Sequence, residues 1–179
     1  MGVKIVITGG PASGKTEFFE RLKTLPELSG FAFLEEQARH FLAAKPQLCQ
    51  DKRELHRRIY LAQREQEDKL SDKDIITDRG TADALAYQPD VMAIIGTTLE
   101  TEYKRYDAVI HLGSAAALGE KYFAGDDIRK ETIDQAMEIE NALKKVWGNH
   151  PGYYFVQVET NMNRKFDNFI RIIKHIINK

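Results

Sequence analysis

The chain has 179 residues, 42% of them hydrophobic and 30% charged, which is enough for one α/β domain with a two-sided core and too little for two ordinary domains. Its 26 lysines and arginines nearly balance 27 aspartates and glutamates, so no net field draws it to nucleic acid or to an anionic membrane. The single cysteine, Cys49, excludes an intrachain disulfide and a cysteine-based zinc cluster, and no stretch approaches the ~18 apolar residues of a membrane span.

The first apolar run, Val3 to Thr8, reads as a strand that stops at glycines; it is too short for a secretory leader, and a cytoplasmic protein is expected. Gly9-Gly10-Pro11-Ala12-Ser13-Gly14-Lys15-Thr16 follows, and then Glu17 to Leu25, in which Phe18, Phe19, Leu22 and Leu25 fall at helical spacing. Strand, glycine-rich loop and helix in this order, with Gly9 four residues ahead of Gly14-Lys15-Thr16, predict a site for nucleotide phosphates. The glycines let backbone N–H groups curl inward onto phosphate oxygens, and the helix N-terminus adds its positive end. Lys15 then reaches the β- and γ-phosphates while Thr16 offers its hydroxyl to Mg²⁺.

Pro26 to Gly30 makes a turn, and Phe31 to Leu34 reads as a second strand ending at Glu35-Glu36. Helical spacing returns over Gln37 to Ala44 until Lys45-Pro46 breaks it. Asp51 can cap a longer helix to about Leu70, with Leu55, Ile59, Ala62, Gln66 and Leu70 on one face. Arg57, Arg58, Arg64, Glu65 and Glu67 are expected mostly on its solvated side; Gln63 and Gln66 either join them or look into a cleft. Asp74 to Asp78 is the third strand, followed by Arg79-Gly80. A strand-terminal acid downstream of a phosphate loop is placed to hold Mg²⁺, and Asp78 equally suits an N-cap for Thr81 onward.

Helical turns around Ala82 to Tyr87 end at Pro89, a helix is predicted from Val91 to Tyr106, and Asp107 to Leu112 is the fourth strand, with His111 a packed residue in it rather than a catalyst. Gly113 to Lys130 shows no clean period and reads as a mobile loop carrying Lys121, Arg129 and Lys130. A helix from Glu131 to Trp147, a fifth strand over Tyr153 to Val158 and a closing helix from Phe166 to Ile177 complete the chain. Five strands alternating with helices predict a P-loop α/β fold: a five-stranded parallel sheet flanked by helices on both faces, with a mobile lid at 113–130, in one domain over 1–179.

Several classes of nucleoside triphosphate protein share such a loop. A small GTPase would show an Asp-x-x-Gly switch and an Asn/Thr-Lys-x-Asp guanine reader, and neither is present; a hexameric motor would need a further helical domain. A phosphotransferase needs a carboxylate after the second strand, an acid-arginine pair after the third and a basic lid before a late helix, all of which the sequence has.

The motifs Gly9-Gly10-Pro11-x-Ser13-Gly14-Lys15-Thr16, Glu36-x-Ala38-Arg39, Asp78-Arg79-Gly80-x-x-Asp83-x-x-Ala86-Tyr87, His111-Leu112, Arg129-x-Glu131 and Trp147-x-x-His150-Pro151 together resemble the AAA-type ATPase domain family named for NadR and the translocation-defect proteins. That resemblance implies a fold closer to nucleoside and nucleotide kinases than to AAA motors, and it leaves the acceptor open. The form Asp78-Arg79-Gly80 is closer to the Asp/Glu-Arg-Ser turn of deoxynucleoside kinases.

On this reading Mg·ATP sits on residues 9–16, with Thr16 and Asp78 holding the metal. Glu36, or alternatively Glu35, accepts the acceptor's proton, since similar kinases place their base there. Arg79 binds a phosphate of donor or acceptor, and Arg129 on the lid closes over the γ-phosphate. The expected partner is a small-molecule acceptor, with a homodimer left open. The competing reading is a nucleotide-dependent switch that recruits a protein or lipid without phosphorylating a metabolite.

Overall fold

The structure, a computed structural model, describes residues 2–38, 50–123 and 132–179. Its five strands, β1 Lys4–Thr8, β2 Ala32–Leu34, β3 Ile75–Asp78, β4 Ala108–Leu112 and β5 Tyr153–Val156, form one sheet in the order β2-β3-β1-β4-β5 with every pairing parallel. The helices among the described residues are α1 Lys15–Lys23, α2 Lys52–Lys69, α3 Ala84–Tyr87, α4 Val91–Ile95, α5 Leu99–Tyr103, α6 Ile133–Trp147 and α7 Met162–Ile177, with single 3-10 turns between some of them.

Alternation along the strands feeds two cores. Ile5 and Ile7 of β1, with Ile110 and Leu112 of β4, pack on Phe18, Phe19 and Leu22 of α1 and on Phe166, Phe169 and Ile173 of α7. Val6 and Val109 point the other way, onto Ala84, Val91, Met92, Tyr106 and Trp147. Each such side chain removed from water contributes about 1.5–3 kcal/mol, which is why a sheet covered on both faces reads as near-continuous apolar strands. Trp147 is fully buried, and its indole N–H donates to Asp83 Oδ2 at 3.0 Å, so its one polar atom is satisfied.

The central strand β1 lies between β3 and β4, and the chain leaves it in both directions. Ile7 pairs with Asp78 and Thr8 with His111, so the ends of three strands meet where the phosphate loop begins. Parallel α/β sheets bind ligands at this reversal of strand order.

Two expectations are corrected. The helix foreseen over Val91 to Tyr106 is two short helices, because Gly96 takes a left-handed φ of 78° that ends α4 and the Thr98 side chain caps α5. Glu67 is not on a solvated face: it is 1% exposed and accepts from Gln63, Tyr106 and Arg105. Burial pushes its pKa up more than those donors pull it down. Of the expected lid, residues 115–118 form a 3-10 turn. Arg129 lies outside the described residues, as do Arg39 and Cys49 and most of the helix expected over Gln37 to Ala44.

Candidate active site

The phosphate loop leaves β1 at Gly9 with φ 154°, and a Cβ there would stand 2.5 Å from the Leu112 carbonyl oxygen, so only glycine fits. Ala12 (φ 58°) and Gly14 (φ 80°) are left-handed, and Gly14 is the N-cap of α1. These reversals curl the loop around the N-terminus of α1, an arrangement suited to anions.

Lys15 opens α1 and is buried, its Nζ 2.5 Å from Asp78 Oδ1. Asp78 is the last residue of β3, delivered there by its register with Ile7. Thr16, one residue on, lines the same cavity. A threonine hydroxyl and one carboxylate are a fitting donor set for Mg²⁺, which keeps several waters and takes its other ligands from phosphates. Among the described residues no cluster of three or more His, Cys, Asp or Glu forms an all-protein metal cage.

Glu35 and Glu36 part company at the end of β2. Glu35 turns to the surface, 2.9 Å from Lys23 Nζ with its side chain 58% exposed. Glu36 lines the cavity and accepts from Arg79 Nε at 2.6 Å. Arg79 also donates to Asp83 Oδ1 (3.2 Å) and lies over the Tyr87 ring at 5.3 Å. Burial alone would lower its pKa, but Tyr87, Glu36, Asp83 and Asp78 outweigh that and hold the guanidinium firmly charged. Its backbone is left-handed, φ 74°, a cost carried by neighbours: the Arg79 carbonyl accepts from Gln63 Nε2 (3.2 Å) and Thr77 Oγ1 (2.8 Å), and its N–H donates to the Ile7 carbonyl. Asp83 ties this turn down by accepting from Thr8 Oγ1, the Gly80 N–H and Trp147. A Cβ at Gly80 would lie 3.0 Å from both Trp147 and Val6, a close approach that favours glycine there.

The loop residues 10–16, Glu36, Arg79, Asp83 and Tyr87 line one cavity of about 690 Å³. The phosphate loop forms one end; Glu36, Arg79 and the aromatic side chains of α2 and α3 form the other. At that second end His56 and Tyr87 stack at 5.7 Å and 15°. Tyr60 is fixed there by its hydroxyl on Glu102 at 2.8 Å. His56 has its pKa lowered, by burial first and then by the charges of Lys52 and Arg79, so it is neutral at pH 7.

The profile of the AAA domain family matches residues 4–165, nearly the whole chain. The chain belongs to the AAA domain family. Within that family its fold is that of a nucleoside kinase. It is similar to the structure of deoxyadenosine kinase from M. mycoides with products dCMP and a flexible dCDP bound, at a TM-score of 0.68 and 13% identity over 97% of this chain and 100% of that one. The same enzyme with bound dATP gives 0.66 and 13% over 96% and 99%. At that identity the likeness is one of fold. No curated protein matches the sequence.

The structure brings Lys15, Thr16, Glu36, Asp78 and Arg79 around one cavity or against its lining. Sequence reasoning passed over Asp83, although it stands in the Asp-Arg-Gly-x-x-Asp run, and gave His56, Tyr60 and Tyr87 no role. Gln63 is at the cavity wall, and Gln66 is turned to Gln37. His111 is packed in the sheet as expected, 0% exposed, with Nε2 3.0 Å from Glu140.

Proposed function

We propose that this AAA domain protein is an Mg·ATP-dependent phosphotransferase acting on a small-molecule acceptor. The observation that carries the reading is one cavity with a phosphate loop at one end and a carboxylate-arginine pair, Glu36 and Arg79, at the other. The motif resemblance to the family of NadR and the translocation-defect proteins, and the nucleoside-kinase fold, agree with it.

In this reading the loop amides and Lys15 bind the β- and γ-phosphates, while Thr16 and Asp78 hold Mg²⁺, which neutralises charge on the phosphates when bound. Lys15, now 2.5 Å from Asp78, would turn to phosphate oxygens with nucleotide bound, leaving Asp78 and Thr16 as the residues that would hold Mg²⁺. The acceptor hydroxyl oxygen attacks the γ-phosphorus, the bond to the β,γ-bridging oxygen breaks, ADP leaves and Glu36 takes the hydroxyl proton. Arg79, held by Glu36 and Asp83, fixes that carboxylate and offers charge to the transferring group.

The acceptor end favours an uncharged compound with a flat ring and a free hydroxyl. Leu55, His56, Ile59, Tyr60 and Tyr87 give it an aromatic and apolar wall, and the two described cations of the cavity, Lys15 and Arg79, are already paired with carboxylates.

ADP release from Mg·ATP, measured with and without nucleosides, nucleotides, nicotinamide riboside and other hydroxylated metabolites, tests the proposal. One compound is expected to raise turnover well above the water background and to gain one phosphate by mass. Tight ATP or GTP binding with no acceptor in that panel would instead leave a nucleotide-dependent switch as the function.

A further inference from the structure

The phosphate loop is also gripped from behind. The Gly10 N–H donates to Glu140 Oε2 at 3.0 Å, and the carbonyls of Pro11, Ala12 and Ser13 accept from Ser114 Oγ, the Ala115 N–H and Lys165 Nζ. None of these partners lines the cavity. Three elements, α6, α7 and the turn after β4, thus fix the loop peptide by peptide.

Lys165 differs from the others. It lies in the first turn of α7, 1% exposed, with Nζ 2.8 Å from the Ser13 carbonyl and 2.6 Å from the Gly113 carbonyl, and among the described residues no carboxylate is within ion-pair distance. An ammonium here costs stability: burial lowers its pKa to about 8, with the Glu140 charge offsetting only part of the effect. What it supplies in return is a field and a polarised peptide. The Ser13 carbonyl shares its peptide unit with the Gly14 N–H, so a cation on the oxygen strengthens that N–H as a donor to the other side of the loop.

We infer that Lys165 is a positioning residue of the phosphate site, which locks the Ser13 and Gly113 peptides together and adds, from behind the loop, a second positive charge for nucleotide phosphates opposite Lys15. The inference rests on the loop binding phosphates. The charge that acts on it is Glu140 of α6, which is itself paired with His111 of β4 and Lys144 of α6; of the neighbouring cations, Arg164 precedes it on α7 and Arg21 of α1 lies over the adjacent Phe166 ring.

Its two roles have opposite pH signatures. The unfolded chain keeps this proton up to about pH 10.4 and the folded chain only to about 8, so between them the unfolded state binds more protons and stability of the ligand-free protein rises with pH. Phosphate affinity falls over the same rise, because the charge is lost. A lysine that only braced the fold would give the first trend without the second, since a neutral amine still donates to both carbonyls.

Calorimetric titration of Mg·ADP, inorganic tripolyphosphate and adenosine from about pH 7 to about pH 9.5, with melting temperatures in parallel, tests this. In the wild type both phosphate probes should weaken about tenfold across the range while adenosine does not. Lys165→Met should already be weaker by about that factor at neutral pH and flat thereafter, and Lys165→Arg should stay tight at the alkaline end. A flat wild-type profile, or Lys165→Met matching the wild type at neutral pH, overturns the inference. If Lys165→Met fails to fold, the wild-type profile decides alone. A wild type that binds neither phosphate probe at any pH overturns the phosphate-site reading, and the inference with it.

Discussion

The two ends of the cavity are built by different means. On the proposed reading the donor end is one contiguous octapeptide, residues 9–16, whose working groups are mostly backbone N–H donors set by the φ angles of Gly9, Ala12 and Gly14 and braced by Glu140, Ser114 and Lys165. The acceptor end of that reading is assembled from segments distant in sequence: Glu36 after β2, five side chains of α2, Arg79 after β3, and Tyr87. Its working groups are side chains, only as fixed as the partners that hold them. A site of the first kind survives side-chain changes that keep its dihedrals; at the second, single substitutions decide the outcome.

The comparison breaks first at Lys15, the side chain that on the proposed reading reaches the β- and γ-phosphates. Lys15→Ala should lower ADP release by on the order of a thousandfold or more with an unchanged far-UV circular dichroism spectrum, and normal turnover would place the donor phosphates elsewhere. Next comes the base. Glu36→Gln should lower kcat by roughly 10²–10⁴ while Mg·ADP affinity in calorimetry stays near the wild type. Glu35→Gln, which alters the surface pair with Lys23, should change neither quantity; the reverse pattern would exchange their roles.

Gln63→Leu sharpens the comparison by removing a holder rather than a worker. It strips donors from the Arg79 carbonyl, Thr77 and buried Glu67, so urea unfolding should show a loss of about 1–3 kcal/mol. Acceptor-dependent kcat should fall more than nucleotide affinity. The smallest effect is a titration at the acceptor end. Because His56 has its pKa lowered in the folded state, the unfolded chain takes up the proton first as pH falls through about 6.5, and stability declines from there downward. His56→Phe, which keeps the stack on Tyr87, should flatten that part of the melting-temperature profile.

How far the sequence could be read follows the same division. The strands were legible because each is a short apolar run between turn residues, and Asp51 was recognisable as the cap of α2 because its carboxylate and the Glu54 N–H are three residues apart. The buried side of α2 was not. The residues that bury there are Leu55, Tyr60, Gln63 and Glu67, half of them polar, and an apolar-periodicity reading assigns such a face to solvent. Glu140 on α6 and Lys165 on α7 escaped for the same reason: each is a charge on a core-facing stripe, recognisable as functional only once the loop it holds is seen beside it.

By itself the sequence determined the glycine-rich loop and the alternation of strands and helices, because such a loop is local: its glycines, lysine and threonine act through the backbone they belong to. Only the tertiary structure decided the order β2-β3-β1-β4-β5, and with it which carboxylate faces the cavity. Glu35 and Glu36 are equivalent in composition and adjacent in the chain. The direction each leaves β2, toward Lys23 on the surface or toward Arg79 in the cleft, is set by contacts to residues the local sequence does not contain.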